Sequence, residues 1–227
     1  MNEDRILLCC RKLNFTFKDK RALFEDLDIG FERGSFNHIK GPSGSGKSTF
    51  LRLLNRLEQP ESGEIFFRDR PLSDYPPPVL RHSICYIQQT PTLVPGTVSD
   101  NLLISFRFRI NRPLPPPEGT ELIRLMEDFG LRGIKLSDQA TNLSGGQKQR
   151  LCLLRSLLLK PEILLLDEPV SALDVESREA VESVIGKLNA EMGITILLAS
   201  HQHFYSSHIP ITVYEISDRK IFRRDMA

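Results

Sequence analysis

The chain has 227 residues and a formal net charge of +1, from 30 Lys and Arg residues against 29 Asp and Glu residues. A composition of 40% hydrophobic and 26% charged residues is that of a folded globular protein and excludes wholesale disorder. The balanced charge gives no basis for sequence-independent nucleic-acid binding, so we expect no nucleic-acid partner. The best apolar runs, at residues 163–166 and 194–199, are far shorter than the roughly 20 residues of a membrane-spanning helix.

Alternating apolar residues predict strands before a glycine-rich loop at residues 41–46. The predicted strands cover residues 6–10, 12–17, 23–32 and 36–40. After the loop, the helical spacing of apolar residues predicts a helix over residues 47–57, and a short strand follows at residues 64–67. Three prolines, at positions 76 to 78, then interrupt the chain before an apolar run at residues 84–87.

The pattern changes between residues 90 and 142. Two helices are predicted there, over residues 100–106 and 120–129, and the proline-rich segment 113–117 separates them because no helix can contain it. We interpret residues 90–142 as a small helical insertion.

The earlier pattern then resumes. The predicted elements are a helix at 145–159, a strand at 163–166, a helix at 175–189, a strand at 194–199 and short strands at 211–216 and 220–222. The solidly apolar strands around a helix predict a βαβ unit in a parallel sheet that is buried on both faces. The fold class is therefore predicted to be α/β, with a mostly parallel core sheet flanked by helices.

The glycine-rich loop fits the pattern GxxxxGK[ST] and lies between an apolar strand and a helix, which is the context that pattern requires. Its residues are Gly41, Pro42, Ser43, Gly44, Ser45, Gly46, Lys47 and Ser48, and we include the adjacent Thr49 in the predicted nucleotide site. The glycines let backbone N–H groups turn toward phosphate oxygens at a helix N-terminus. Lys47 would reach the β- and γ-phosphates and Ser48 would ligate Mg²⁺. A flexible glycine loop before a helix is the alternative interpretation.

Asp167 and Glu168 follow the buried strand at residues 163–166. A carboxylate at the end of a buried strand is poorly solvated unless a positive group lies nearby. Asp167 is predicted to hold Mg²⁺, and Glu168 to polarise an attacking water as general base. The alternative for Glu168 is a carboxylate that caps a helix. Together with the phosphate loop, this pair predicts a nucleoside triphosphatase.

A run of residues before the helix at 145 resembles the signature of ABC-type ATPases. It reads Leu143, Ser144, Gly145, Gly146 and Gln147. Further motifs match that family in order along nearly the whole chain. Gln89 resembles the Q-loop glutamine, Ser171-Ala172-Leu173-Asp174 the D-loop and His201 the switch histidine, and Phe17 falls where the family places an adenine-stacking aromatic residue.

The resemblance implies a single ABC ATPase domain over residues 1–227. In that arrangement residues 1–89 and 143–227 form the RecA-like core with an N-terminal antiparallel β subdomain, and residues 90–142 form the inserted helical subdomain. ATP and Mg²⁺ are the implied ligands.

The resemblance also implies roles for individual residues. Gln89 would contact Mg²⁺ or the attacking water, His201 would hydrogen-bond the γ-phosphate and orient Glu168, and Asp174 would couple two sites across an interface. Phe17 would stack on adenine, although it could simply be a packing aromatic. A metal site at His201, His203 and His208 is the alternative for the histidine cluster.

The signature implies a partner chain. Ser144 and the N–H groups of Gly145 and Gly146, with Gln147 beside them, begin a helix and form a second anion site. In the family that site completes the ATP pocket of the partner subunit. The resemblance therefore implies a head-to-tail homodimer of ATPase subunits with ATP between them.

One ATPase unit without a membrane span implies a separate membrane partner. We expect an integral membrane permease subunit to dock on residues 90–142, which would place the chain in the cytoplasm, peripheral on the inner face of the cell membrane. The segment after Gln89 and the compact C-terminus resemble the small two-component exporter ATPases of iron efflux. This resemblance alone implies export, of iron or another metal ion, as the expected transport activity. The alternative is a soluble ABC-type ATPase that acts on ribosomes, DNA or a protein complex.

Overall fold

The computed structural model describes residues 5–17, 19, 21–204 and 209–224. Within these ranges the strands are β1 (Ile6–Thr16), β2 (Ala22–Glu32), β3 (Phe36–Lys40), β4 (Ser62–Phe67), β5 (Arg70–Pro71), β6 (Ile84–Ile87), β7 (Ile163–Asp167), β8 (Thr195–Ala199), β9 (Ile211–Ser217) and β10 (Lys220–Arg224). The α-helices are α1 (Lys47–Leu54), α2 (Pro77–Ser83), α3 (Val98–Leu103), α4 (Gly119–Asp128), α5 (Gly145–Leu157) and α6 (Val175–Ala190).

The N-terminal strands form a four-stranded antiparallel sheet in the order β2-β1-β4-β5. β1 is one strand, whereas the sequence predicted two. The predicted break is at Arg11. The next residue, Lys12, has a positive φ of 47°, and the pairing register with β2 shifts between Cys10 and Leu13. The Lys12 N–H donates to Asp28 Oδ1 at 2.9 Å, so a side chain satisfies the donor that the irregular backbone leaves free. The strand therefore continues through a bulge instead of ending.

The second sheet has six strands in the order β10-β9-β3-β8-β7-β6. Every neighbouring pair from β9 to β6 is parallel, and only β10 runs antiparallel. β7, α6 and β8 form the predicted βαβ unit, and both strands are buried along their whole length. The α/β prediction is confirmed. Because β3, β6, β7 and β8 are parallel, the segments that follow them all emerge at one edge of the sheet.

The two faces of this sheet have separate cores. Leu164 and Leu166 of β7 pack in one hydrophobic cluster with α5 and α6, whereas Ile163 and Leu165 pack in the other with α1 and the antiparallel sheet. The alternation follows from the two-residue period of a strand. The sheet is therefore covered on both sides, which fixes the position of its carboxyl edge.

Three helices differ most from the sequence prediction, and α4, α5 and α6 match it to within two residues at each end. α1 ends at Leu54, three residues early, and Leu57 is exposed. α2 begins at Pro77, where the sequence predicted only a break. Proline is tolerated at the first position of a helix, because an N–H at that position would have no partner within the helix. α3 begins at Val98 because Thr97 and Asp100 form a capping box, and the chain tightens into a 3₁₀ turn at Ile104–Arg107.

Residues between β6 and α5 form α3, α4 and short 3₁₀ turns. Leu122 and Met126 of α4 are buried in the same cluster as the apolar face of α5. None of the helices in the described part of the chain has the length and apolar character needed to cross a bilayer.

Candidate active site

A pocket of about 340 Å³ opens at the carboxyl edge of the parallel strands. The phosphate loop and α1 contribute Ser43, Gly44, Gly46, Lys47, Ser48 and Thr49 to its walls. Gln89 enters from the segment after β6, Glu168 from the end of β7 and His201 from the segment after β8, while Phe17 and Arg21 line it from the loop between β1 and β2. The parallel topology therefore brings four separate motifs to one place.

The phosphate loop depends on glycine. Gly44 and Gly46 have positive φ values of 78° and 99°, a region that other residues rarely adopt. At Gly46 a side chain would also lie 2.5 Å from Leu23 Cδ1, which is too close for any real contact. The turn at Gly46 leads directly into α1, so the positive end of that helix faces the loop.

Lys47 is held inside the loop. Its Nζ donates to the carbonyl oxygens of Gly41 at 2.8 Å and Pro42 at 3.2 Å, and the residue is only 6% exposed. The hydroxyl of Ser45 is also buried in the loop and has no hydrogen-bond partner within the described residues. A buried hydroxyl without a partner is costly in a finished structure. The loop therefore offers a cation and an unused hydroxyl to a ligand.

Asp167 is held on both carboxylate oxygens. Ser48 Oγ donates to Oδ1 at 2.8 Å and the Tyr86 hydroxyl donates to Oδ2 at 2.7 Å, in a carboxylate that is 4% exposed. Burial and the neighbouring Asp167 carboxylate raise the pKa of Tyr86 to about 12. Sequence reasoning missed Tyr86, since a tyrosine in a short strand carries no motif.

Glu168 has a strained backbone and charged neighbours. Its φ is 47°, and its N–H donates to Ala199 O at 2.8 Å across the end of the sheet. The carboxylate lies 3.6 Å from Lys47 Nζ, and both of its oxygens lie 3.1 Å from Nδ1 of His201. The backbone N–H of His201 also donates to Oε1 at 3.2 Å. Glu168 therefore faces the pocket between the lysine and the histidine.

Gln89 lies in the pocket wall, and its neighbour Gln88 hydrogen-bonds Thr92 instead. Gln89 Nε2 donates to Ser171 Oγ at 3.0 Å, and that hydroxyl donates to the carbonyl of Glu168 at 3.1 Å. A glutamine from one motif thus connects to the loop after β7 through a single serine.

Phe17 and Arg21 lie together in the lining of the pocket. The Arg21 guanidinium is 4.8 Å from the Phe17 ring centroid, and the Phe17 N–H donates to the Arg21 carbonyl at 2.9 Å. Phe15 meets the same ring at 5.4 Å in an edge-to-face contact. Sequence reasoning selected Phe17 but not Arg21, because nothing in a lone loop arginine indicates what it will stack on.

The signature residues do not line this pocket. Ser144 caps α5, with its Oγ accepting from Gln147 N at 3.3 Å and its own N–H donating to Gln147 Oε1 at 2.8 Å. A side chain at Gly146 would lie 2.6 Å from Ser177 Cβ, so α5 and α6 begin in close contact.

Asp174 is likewise outside the pocket. It caps α6, its Oδ1 accepts from Ser177 N at 2.9 Å, and the Ser177 hydrogen bonds hold the pKa of Asp174 below its usual 3.8. The structure therefore places Asp174 and the signature together, away from the phosphate loop.

The metal-site alternative for the histidines finds no support in the residues that the structure describes. Among them no group of three or more His, Cys, Asp and Glu side chains could hold a metal ion. His201 faces Glu168, and Nδ1 of His203 lies 2.9 Å from Lys40 Nζ. His208 lies outside the described residues.

A parallel sheet with a phosphate loop after one strand and an Asp-Glu pair after another defines a nucleoside triphosphatase of the phosphate-loop class. A model of the ABC transporter family matches residues 24–171. The chain belongs to the ABC transporter family, and it is an ATP-binding and ATP-hydrolysing subunit of that family. The predictions of family, fold and ATPase activity are confirmed.

Two curated relatives have names that describe opposite directions of transport. The probable iron export ATP-binding protein FetA of Escherichia coli K12 is 34% identical over 208 residues, which are 92% of this chain and 90% of the relative. The spermidine/putrescine import ATP-binding protein PotA of Mesoplasma florum is 36% identical over 184 residues, 81% of this chain. The match spans only 51% of PotA, about half its length.

Solved structures confirm the fold. CbiO1 of Clostridium perfringens, part of the cbiONQ ABC transporter complex, has a TM-score of 0.82 and 26% identity over 96% of this chain and 87% of its own. An ATP-binding cassette protein solved as a dimer in a post-hydrolysis state with ADP and Pi has a TM-score of 0.77 over 97% of this chain and all of its own. At 24% identity this second likeness concerns the fold alone.

Proposed function

We propose that this chain hydrolyses ATP at the pocket described above and thereby energises an exporter, with iron or another metal ion as the exported substrate. One observation carries the proposed site. The carboxylate of Glu168 lies between Lys47 Nζ, at 3.6 Å, and His201 Nδ1, at 3.1 Å, in the pocket that the phosphate loop lines.

The residues present fit a magnesium-bound nucleotide. Ser48 Oγ and Asp167 Oδ1 lie 2.8 Å apart and are hard oxygen donors of the kind that Mg²⁺ prefers, and Gln89 lines the same pocket. The unused hydroxyl of Ser45 suits a phosphate oxygen. Bound Mg²⁺ would neutralise charge on the β- and γ-phosphates.

In the proposed hydrolysis the water oxygen bonds to the γ-phosphorus while the bond from that phosphorus to the bridging oxygen breaks and ADP leaves, and Glu168 accepts the proton of the water. His201 Nδ1 holds the carboxylate in orientation, and Lys47 leaves the loop carbonyls to bind the γ-phosphate. Gln89, which also lines the pocket, positions the water or the metal. Phe17 stacks on the adenine.

We propose a head-to-tail dimer because the signature lies outside the pocket. Ser144, Gly145, Gly146 and Gln147 lie at the start of α5, where backbone N–H groups would bind an anion. None of the four lines the pocket of the phosphate loop in the same chain. The signature of one chain would therefore close the pocket of its partner, with Asp174 at the interface.

A membrane permease is the proposed second partner, and it would dock on residues 90–142. Phe108, Ile110 and Ile123 lie in this region and are 57%, 45% and 49% exposed, so apolar side chains are available there for a partner. The chain would then lie on the cytoplasmic face of the cell membrane. Export of iron follows the name of the Escherichia coli relative, whereas the PotA relatives are named as importers.

The test uses the variant Glu168→Gln, with Glu179→Gln as a control for an exposed carboxylate. We expect E168Q to bind ATP normally but to hydrolyse it at least about 100-fold more slowly, since a general base contributes that much or more. E179Q should match the wild type. Hydrolysis by E168Q at the normal rate would contradict the role of Glu168.

The same variant identifies the partner. Tagged E168Q should be purified with Mg-ATP from detergent-solubilised membranes, and the bound chains identified by mass spectrometry. A stoichiometric polytopic membrane protein would support the transporter proposal. Ribosomal or DNA-repair proteins with no membrane chain would support the soluble ATPase instead.

A further inference from the structure

Tyr86 makes a contact to the site that no motif explains. It lies in β6, the strand next to β7, and pairs in register with Leu165 of that strand. Its side chain therefore reaches toward the end of β7, where its hydroxyl donates to Asp167 Oδ2 at 2.7 Å. Tyr86 is half-buried and Asp167 is buried, so water competes little for this hydrogen bond.

The carboxylate is also held from a second side. Ser48 on α1 donates from its Oγ to Asp167 Oδ1 at 2.8 Å, so each oxygen of the carboxylate accepts one hydrogen bond. Because the two donors lie on different elements, β6 and α1, the carboxylate has little freedom to rotate.

We propose that Tyr86 is a positioning residue that fixes the Asp167 carboxylate for metal binding, an inference that rests on the magnesium site proposed above. Outer partners that hydrogen-bond a metal-ligating carboxylate set its orientation, and their loss typically weakens metal affinity by 10–100-fold. With Oδ2 held by Tyr86, only Oδ1 is presented beside Ser48 Oγ.

The position of Tyr86 also connects the metal site to Gln89. The two residues lie on the same short segment, and Gln89 reaches the carbonyl of Glu168 through Ser171. Both acidic residues at the end of β7 are thus linked to the end of β6 by hydrogen bonds. A shift of the segment that carries Tyr86 and Gln89 would move the carboxylate that holds the metal.

The test is Tyr86→Phe, which keeps the ring and removes only the hydroxyl. Tyr75→Phe is the matched control, because the Tyr75 hydroxyl donates to Phe67 O at 2.9 Å, away from the site. Mn²⁺ would be titrated by electron paramagnetic resonance into each protein with a non-hydrolysable ATP analogue. We expect about tenfold weaker Mn²⁺ binding in Y86F and wild-type binding in Y75F.

A second readout separates positioning from general damage. Y86F should bind the analogue without metal as tightly as the wild type, and its ATPase rate should recover at high Mg²⁺ because only the apparent affinity for the metal has changed. Mn²⁺ affinity within twofold of the wild type would overturn the role of Tyr86. Equal loss of metal-free nucleotide binding would also overturn it, since the damage would then not be specific to the metal.

Asp167→Asn distinguishes this failure from failure of the proposed site. If D167N loses Mn²⁺ binding while Y86F keeps it, Tyr86 has no positioning role and the metal site stands. If D167N binds Mn²⁺ like the wild type, the proposed metal site is wrong, and the inference on Tyr86 is wrong with it.

Discussion

Among single residues, Lys47 has the most constrained environment in the pocket. Its ammonium group is nearly excluded from water and is satisfied by two loop carbonyls, with the Glu168 carboxylate 3.6 Å away. A buried cation surrounded by acceptors is ready to exchange them for phosphate oxygens. Replacement by alanine removes that charge and leaves the loop carbonyls without their donor.

We therefore expect Lys47→Ala to weaken ATP binding at least about tenfold, the loss of one charge-assisted hydrogen bond or more. Lys187→Ala, on the exposed face of α6, is the control for the loss of a lysine and should bind ATP normally. Equilibrium titration with a fluorescent ATP analogue measures both. An unchanged affinity in K47A would argue against the phosphate-loop assignment.

His38 gives the protein a defined response to acid. It is 1% exposed in β3, its Nε2 has no hydrogen-bond partner, and burial lowers its pKa from 6.5 to about 4, with nearby Lys40 acting in the same direction. A hydrogen bond to the Ser200 backbone opposes this shift. Between pH 6.5 and 4 the unfolded chain therefore binds the proton more tightly than the folded one, so folding stability falls as the pH falls through this window.

The free energy of unfolding should fall by about 3 kcal/mol as the pH is lowered from 6.5 to about 4. This is the energy that corresponds to lowering the His38 pKa from 6.5 to about 4 on folding. His38→Gln should lack this component, while the other histidines contribute equally to both proteins. Urea denaturation of the wild type and H38Q at a series of pH values measures the difference. Parallel pH profiles for the two proteins would show that His38 is not responsible.

At the scale of elements, α5 and α6 begin so close together that only glycine fits at position 146. An alanine Cβ there would lie 2.6 Å from Ser177 Cβ and 2.7 Å from its Oγ. We expect Gly146→Ala to cost about 1–3 kcal/mol of folding stability, the usual range for overpacking. Ser177→Gly removes both of these atoms, so the double variant G146A/S177G should regain most of the lost stability. The remaining deficit should be up to about 1 kcal/mol, the cost of glycine within a helix.

Gly145→Ala is the matched control for this pair. Its added Cβ would lie 3.5 Å from Leu173 Cδ2, which is an ordinary contact, so no loss of stability is expected. Urea denaturation compares all four variants. If G146A is as stable as G145A, the first turns of α5 and α6 can move apart without loss of folding stability, and the prediction is wrong.

Elements with one clear local signal were predictable, and those governed by distant contacts were not. The buried strands β7 and β8 and the phosphate loop follow from apolar runs and from glycine spacing. The continuity of β1 through Lys12 depends on Asp28 in another strand. The contact of Tyr86 with Asp167 joins residues 81 positions apart, and it exists only because β6 and β7 are neighbours.

For the whole molecule, the two anion-binding helix ends have different surroundings. The N-terminus of α1 lies in the pocket with Glu168, whereas that of α5 lies against the start of α6. In the proposed dimer each chain would therefore contribute its phosphate loop to one site and its signature to the other. Because a two-fold dimer presents the same surfaces from both chains, two such sites form at once when the chains pair head to tail.

This arrangement predicts complementation between two inactive variants. K47A damages the phosphate loop, and Gly145→Asp places a negative charge at the signature, where an added Cβ makes only an ordinary contact with Leu173. In an equal mixture about half of the dimers contain one chain of each variant. In such a dimer one of the two sites is intact, because it combines the phosphate loop of the G145D chain with the signature of the K47A chain. The rate should therefore recover to as much as about a quarter of the wild-type rate. The chain with both changes, mixed with either single variant, should show no recovery, because none of its dimers has an intact site. Single-turnover ATP hydrolysis measures the mixtures, and the absence of recovery from K47A with G145D would contradict the shared site.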